Sequence, residues 1–198
     1  MKKIMMTRAA IAVAATMNAQ GYIGGTLGFD FQNKLVDKDG EEATGMFFQI
    51  KPELGYNLDD KSSVGITLGL SMTNNGNKFT INNQPQFAGH KMDKTALQFE
   101  VAPYYRYKFM QFDKIDIFVD AYAALKYTKY DEWNNTTFGL GVRPGVAFNA
   151  NDKFSFVAKL GAGLFFESSK DKDSESIIHF GLQANTLAPL EIGMYYNF

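Results

Sequence analysis

Two histidines, His90 and His179, are the side chains of this sequence that can act as bases near neutral pH without help from their surroundings. Catalysis through either would need a nucleophile or an activated water within hydrogen-bond reach. His90 lies in the long polar segment from Asn74 to Asp93 and reads as a solvated residue. His179 has Ser176 three positions before it, but the alternation of an extended chain puts the two on opposite faces. Two acidic runs, Asp37-Lys-Asp39-Gly40-Glu41-Glu42 and Asp171-Lys-Asp173-Ser-Glu175, offer carboxylates to Ca²⁺. Both are interrupted by Lys, and the first lacks the ligand and glycine spacing of an EF-hand loop. No enzymatic activity, metal or cofactor is therefore expected.

The chemistry that remains is a set of charges placed at regular intervals in extended chain. From Gln20 onward no run of apolar residues is long enough for a spanning helix, and the dominant period is two. Ile66, Leu68, Leu70 and Met72 alternate with Gly65, Thr67, Gly69 and Ser71; Leu97, Phe99, Val101, Pro103, Tyr105 and Tyr107 alternate with Gln98, Glu100, Ala102, Tyr104 and Arg106. The same pattern recurs in eight segments, beginning near Ile23, Phe48, Val64, Leu97, Ile117, Phe138, Phe154 and Ile178. The apolar parity carries no charge in any of them. On the opposite parity lie Lys51, Glu53, Glu100, Arg106, Asp116, Asp120, Arg143, Lys159 and Glu191, with Asp30, Lys108, Lys126 and Glu167 as further members, together with most of the strand glycines.

Such alternation fits a barrel, and volume decides which face is inside. The apolar set includes about a dozen aromatic rings, more than an eight-stranded interior can hold. The apolar face must then meet lipid, and the small and charged face must fill the lumen. Links after the second, fourth and sixth segments are short, whereas those after the first, third, fifth and seventh are generally longer and more polar. Short periplasmic turns, long external loops and both termini in the periplasm require an even strand count, and eight satisfies it. The fold class expected is all-β: an eight-stranded, antiparallel, up-and-down transmembrane barrel.

If residues equidistant from a hairpin centre face each other, Arg106 opposes Asp116 about Gln111, Asp120 opposes Arg143, and Lys159 lies beside Arg143. These pairings predict a lumen plugged by charge. A hairpin unit also repeats three times: Pro52 to Tyr56 before Asp60-Lys61, Pro103 to Tyr107 before Asp113-Lys114, and Pro144 to Phe148 before Asp152-Lys153. Proline within paired strands removes a ladder donor, so register irregularities are expected at each copy. Tyr56, Tyr105, Tyr107, Phe148 and Tyr196 at one rim, and Phe31, Phe47, Tyr127, Tyr130 and Trp133 at the other, suit two interfacial girdles.

Composition agrees with strands: 18 Phe, 10 Tyr and 18 Gly accompany 5 Pro and one Trp in 198 residues. There is no cysteine, so disulfides contribute nothing. Lys2, Lys3 and Arg8 precede an apolar run from Ala9 to Ala15, and cleavage after Ala19 would complete an export signal. The domains expected are a signal peptide over 1–19 and a barrel over 20–198. Losing the signal removes three of 20 cations and none of 21 acids, leaving a net charge of −4 that argues against nucleic-acid partners.

The closing run Leu190, Ile192, Met194, Tyr196 and the terminal Phe198 resembles the assembly signal of outer-membrane β-barrel proteins. With the leader and the Pro-x-x-x-aromatic hairpins, the mature chain resembles the broad outer membrane protein β-barrel domain family, porin-like and including the small OmpA and OmpX type barrels. That resemblance implies residence in the outer membrane of a Gram-negative cell. It implies as partners outer-membrane lipid, the barrel-assembly machinery, recognising Phe198, Tyr196 and Met194, and an extracellular ligand or surface. Such barrels serve as anchors, adhesins, narrow passive channels and lipid-modifying enzymes. The Ser176 and His179 pair is similar in residue type to that of outer-membrane lipid A deacylases, but those catalytic residues face lipid whereas His179 has lumen parity. A structural or interaction barrel with exposed loops is the function expected first, a passive channel second and a lipid-modifying enzyme third.

Overall fold

A computed structural model describes residues 20–36, 42–74, 95–130, 133–160, 164–171, 177–182 and 190–198. The strands are β1 (Gly21–Val36), β2 (Glu42–Asn57), β3 (Ser62–Asn74), β4 (Ala96–Gln111), β5 (Ile115–Tyr130), β6 (Trp133–Asn149), β7 (Phe154–Lys159), β8 (Leu164–Asp171), β9 (Ile177–Leu182) and β10 (Glu191–Asn197). Each is antiparallel to its neighbours in a sheet ordered β5-β4-β3-β2-β1-β10-β7-β6-β8-β9, and β5 also pairs with β6, which closes it. β7 and β8 lie in succession along β6, and β9 and β10 continue one another in the same way, so ten segments make eight staves. This is the eight-stranded up-and-down barrel that the alternation predicts.

Closure explains the face each side chain takes. A barrel leaves no unpaired edge, which is what allows strands to cross hydrocarbon. Residues of apolar parity, from Leu27, Phe29 and Phe48 around to Phe156, Ile178 and Phe180, are exposed on the outer wall. Their alternates, such as Thr26, Gln49, Thr67, Ala102 and Asp120, are buried in the lumen. β4 shows the pattern in one strand, with Ala102, Tyr104 and Arg106 buried between exposed Val101, Pro103, Tyr105 and Tyr107.

Several strands run further than the sequence pattern marks. β5 continues to Tyr130 and β6 starts at Trp133, with those two residues paired, so the connection expected over Thr128 to Asn135 shrinks to 131–132. β8 carries strand through Ser168 to Asp171, where a loop was expected. At 16 residues, β1, β2, β4 and β5 exceed the roughly 9–11 residues that cross a bilayer when tilted.

The proline expectation needs correction. In β2 and β4 the ladder towards the next strand skips the proline and resumes with its register unchanged, from Ile50↔Leu70 to Glu53↔Thr67 and from Val101↔Leu125 to Tyr104↔Tyr122. The missing donor is absorbed as a gap without a bulge. Near Pro144 the outcome is different: β6 pairs with β7 as Gly145↔Lys159 and with β8 as Gly141↔Phe165, a displacement of two residues that falls before the proline, whose carbonyl still accepts the Leu160 N–H at 3.0 Å. The clearest bulge in β4 lies beyond its proline, between Lys108 and Met110.

The short connections form one rim. Asp59 accepts backbone N–H groups of Lys61 and Ser62, both at 2.7 Å, and Asn151 does the same for Lys153 and Phe154 at 2.9 and 3.0 Å. These Asx-type turns set the register of the strands they join. Residues 1–19, which hold the expected signal, are outside the described residues, as are His90 and Ser176, and the acidic runs lie largely outside them.

Candidate functional site: the charged lumen

The buried face concentrates ionisable groups at two levels along the barrel. Nearer the short turns, Arg106 on β4 grips Asp120 on β5 with two parallel hydrogen bonds, Nε to Oδ1 at 2.6 Å and Nη2 to Oδ2 at 2.9 Å. Its Nη2 also lies 3.7 Å from Oε2 of Glu53 and donates to the Tyr195 hydroxyl at 3.2 Å. Lys159 donates to Oε1 of Glu53, and Tyr195 donates to Oε2 at 2.7 Å, so Glu53 is held from both sides. Lys159, Glu53 and Asp120 are at most 1% exposed.

Aromatic rings pack around this level. The Arg106 guanidinium lies over Phe118 at 4.0 Å and within 6 Å of the rings of Tyr22, Tyr104 and Tyr195. The hydroxyls of Tyr22 and Tyr104 share a hydrogen bond of 2.7 Å. Each ring needs room in a narrow barrel, and the opposite strand supplies it with glycine: Tyr22↔Gly55, Tyr104↔Gly65, Phe118↔Gly145, Tyr122↔Gly141 and Tyr195↔Gly24 are all direct cross-strand pairs. A Cβ on Gly55 would stand 2.1 Å from the Tyr22 ring, and one on Gly145 would stand 2.4 Å from Phe118. The lumen glycines are thus the sockets for the lumen aromatics.

At the second level Glu191 on β10 is the centre. Its Oε1 accepts Lys51 at 2.8 Å and Gln49 at 3.2 Å, and its Oε2 accepts Thr26 at 3.1 Å. Lys51 also lies 3.6 Å from Glu100. Arg143 stacks on Tyr122 at 4.7 Å and reaches Glu191 only at 3.9 Å, beyond hydrogen-bond range. Its Nε and Nη2, and the Thr67 hydroxyl, are buried with no hydrogen-bond partner among the described residues. Four cations (Lys51, Arg106, Arg143, Lys159) and four anions (Glu53, Glu100, Asp120, Glu191) are therefore buried across these two levels.

Less buried pairs flank them. Lys108 meets Asp116 at 3.1 Å near the short-turn rim, and Lys126 meets Glu167 at 2.7 Å towards the other end. A polar vestibule of about 550 Å³ opens at the short-turn rim, lined in part by Asn57, Ser63, Asn149 and Ser155. Ser63 donates to Asn57, and Ser155 to Asn149, both at 2.8 Å, so the repeated hairpin has a polar counterpart inside. The vestibule is lined at its deep end by Tyr22, Arg106, Phe118 and Tyr195.

Two expected pairings are corrected. Arg106 opposes Asp120, and Asp116 opposes Gln111, because β4 runs on to Gln111 and the turn centres two residues later than assumed. Lys159 opposes Gly145 and not Arg143, because the Asn151 turn moves the hairpin centre by one residue. Asp120 does oppose Arg143. Met194, Tyr196 and Phe198 lie on the outer wall where the barrel closes: Met194 pairs with Gly25, Tyr196 with Ile23, and the Phe198 N–H donates to the Gly21 carbonyl at 2.9 Å. Tyr196 packs edge-on against Phe154 and Phe198. Of His179 the described part is its backbone pairing with Glu167.

The model of the outer membrane protein β-barrel domain matches residues 4–185 of this sequence. The chain belongs to that family. Among solved structures the barrel is similar to Neisserial surface protein A, with a TM-score of 0.52, 12% identity and coverage of 91% of this chain and 98% of that one. Further matches are the N-terminal barrel domain of Pseudomonas aeruginosa OprF, with a TM-score of 0.44, 10% identity and 90% and 98% coverage, and Yersinia pestis Ail, with 0.40, 13%, 91% and 100%. At these identities the likeness to Neisserial surface protein A concerns fold alone. Comparison with curated proteins gives no match. As a member of this family the protein is a small outer-membrane barrel of Gram-negative type.

Proposed function

We propose that this chain is exported by its N-terminal signal and serves as a non-enzymatic structural or interaction barrel, with a lumen plugged by charge pairs and strands that project beyond the membrane to meet an extracellular ligand or surface. The observation that carries this reading is the double layer of buried ion pairs, in which Glu53, Asp120 and Glu191 each hold more than one donor. Several donors on one carboxylate satisfy these three without water, while Glu100 has Lys51 at 3.6 Å as its ion-pair partner. Met194, Tyr196 and Phe198 act, on the same reading, as the signal by which the assembly machinery closes the barrel.

Liposomes loaded with the refolded mature chain should swell in small-sugar solutions no faster than empty ones, while heat-modified gel migration confirms that the barrel is folded. Fast swelling by folded protein would refute the plug. One observation favours the passive-channel reading instead: Arg143 has two buried guanidinium nitrogens, Nε and Nη2, without a hydrogen-bond partner among the described residues, the weakest point of the network.

A further inference from the structure

The outer wall carries one feature that closure of the barrel does not explain. A groove of about 470 Å³ runs over β5, β6, β8 and β9, walled by Ala121, Ala123, Leu140, Leu164, Phe166 and Phe180 and lined almost wholly by carbon. Its depth has two causes. β5 presents small alanines at 121 and 123, and β6 shifts register by two residues between Gly141, which pairs with Phe165 of β8, and Gly145, which pairs with Lys159 of β7. A recess in a wall that faces lipid is filled by lipid chain, since an empty apolar cavity forfeits packing contacts.

The charges above the groove select the lipid. Along the same strands, on the same outward parity and towards the rim away from the short turns, stand Lys129 on β5 and Lys170 on β8, both exposed. Neither has an acidic partner among the described residues. On β6 between them, Asn134 is the ladder partner of Lys129 and Thr136 that of Lys170, so the two lysines stand two positions apart along that strand. At about 3.3 Å per residue, Lys170 stands roughly 13 Å along β8 from Phe166 and Lys129 roughly 20 Å along β5 from Ala123; a strand tilt of about 40° makes these rises roughly 10 and 15 Å, against the roughly 15 Å of one leaflet's hydrocarbon. Two long cationic side chains at headgroup depth over an apolar slot match an amphiphile with phosphate above and acyl chain below.

From this geometry we infer that the β5-β6-β8-β9 wall is a docking site for a phosphorylated acyl glycolipid of the outer leaflet, one acyl chain lying in the Ala121–Ala123 groove and a phosphate bridged by Lys129 and Lys170. The inference rests on the proposed orientation, in which the short turns face the periplasm. It is independent of whether the lumen conducts.

The test is native mass spectrometry of the refolded chain released from neutral detergent micelles containing bis-phosphorylated lipid A, with dephosphorylated lipid A and phosphatidylglycerol in parallel. The wild type should retain one bis-phosphorylated molecule. Ala123→Phe, which fills the groove, and the double variant Lys129→Gln/Lys170→Gln, which removes the cations, should each lower retention roughly tenfold while keeping heat-modified migration. Equal retention by both folded variants, or of the dephosphorylated lipid by the wild type, would overturn the site. Equal retention of phosphatidylglycerol would overturn the choice of glycolipid, whereas fast liposome swelling would count against the plug and leave the lipid site standing.

Discussion

The pair Glu53 and Lys159 offers a measurable case of how much the lumen network is worth. Both side chains are at most 1% exposed, and among the described residues Lys159 has Glu53 as its ion-pair partner, whereas Arg106 keeps Asp120 when Glu53 is lost. Glu53→Ala therefore leaves one buried ammonium without a carboxylate, a loss of about 3 to 5 kcal/mol for a broken buried pair. Tyr195 loses its acceptor on Glu53 at the same time, which places the effect at the upper end of that range. With a urea slope of about 2 kcal/mol per molar, the unfolding midpoint should fall by about 2.5 M. Lys159→Met alone should be damaging for the reciprocal reason, while Glu53→Leu with Lys159→Met should recover most of the loss, because an apolar pair of similar volume avoids the desolvation cost of two charges. The assay is urea unfolding of the barrel in phospholipid vesicles, read by the gel shift between folded and unfolded forms. Single variants within 1 kcal/mol of wild type would refute the reasoning, since the ammonium would then be solvated and the lumen wet at that level.

Gly55→Val should block folding or lower inserted barrel severely, because its side chain would occupy the Tyr22 ring position, and Tyr22→Ala in the same chain should restore insertion; failure of that rescue would show the glycine matters for another reason. Asp59 in the first short turn is held below the usual carboxylate range by the backbone N–H groups of Lys61 and then Ser62. Its contribution to turn order is present above the ordinary carboxylate pKa and is lost as pH falls through its own lower value, so an NMR titration should give a midpoint below 3.8. Deleting Phe198 should lower the amount of barrel inserted in cells, since the residue ties the chain end to Gly21 and packs on Tyr196; undiminished insertion would deny it a role in assembly.

Period and parity were legible because they depend on nothing but alternation: every one of Lys51, Glu53, Glu100, Arg106, Asp116, Asp120, Arg143, Lys159 and Glu191 sits on the buried face. Register was legible where the connection is symmetrical, as for Asp120 and Arg143. It was not legible where a turn's own hydrogen bonds move the centre, as Asn151 does for Lys159, or where β4 extends through a bulge before turning. Parity also places Tyr22, Tyr104, Phe118 and Tyr122 on the lumen face, as it does Glu100 and Arg106. What parity does not give is how such rings fit a narrow barrel: the glycine facing each of them on the adjoining strand becomes visible only once the register is known.

The charge network is tested most directly by single-channel recording of the refolded mature chain in a planar bilayer, wild type beside Arg143→Ala. Arg143 is the least satisfied buried cation, so its removal admits water with the smallest loss of pairing while leaving Glu191 to Lys51. A plugged lumen predicts a nearly silent wild type and either measurable conductance or reduced stability in the variant. Steady conductance in the wild type, with neither property changed by Arg143→Ala, would contradict the plug and give first place to the passive channel.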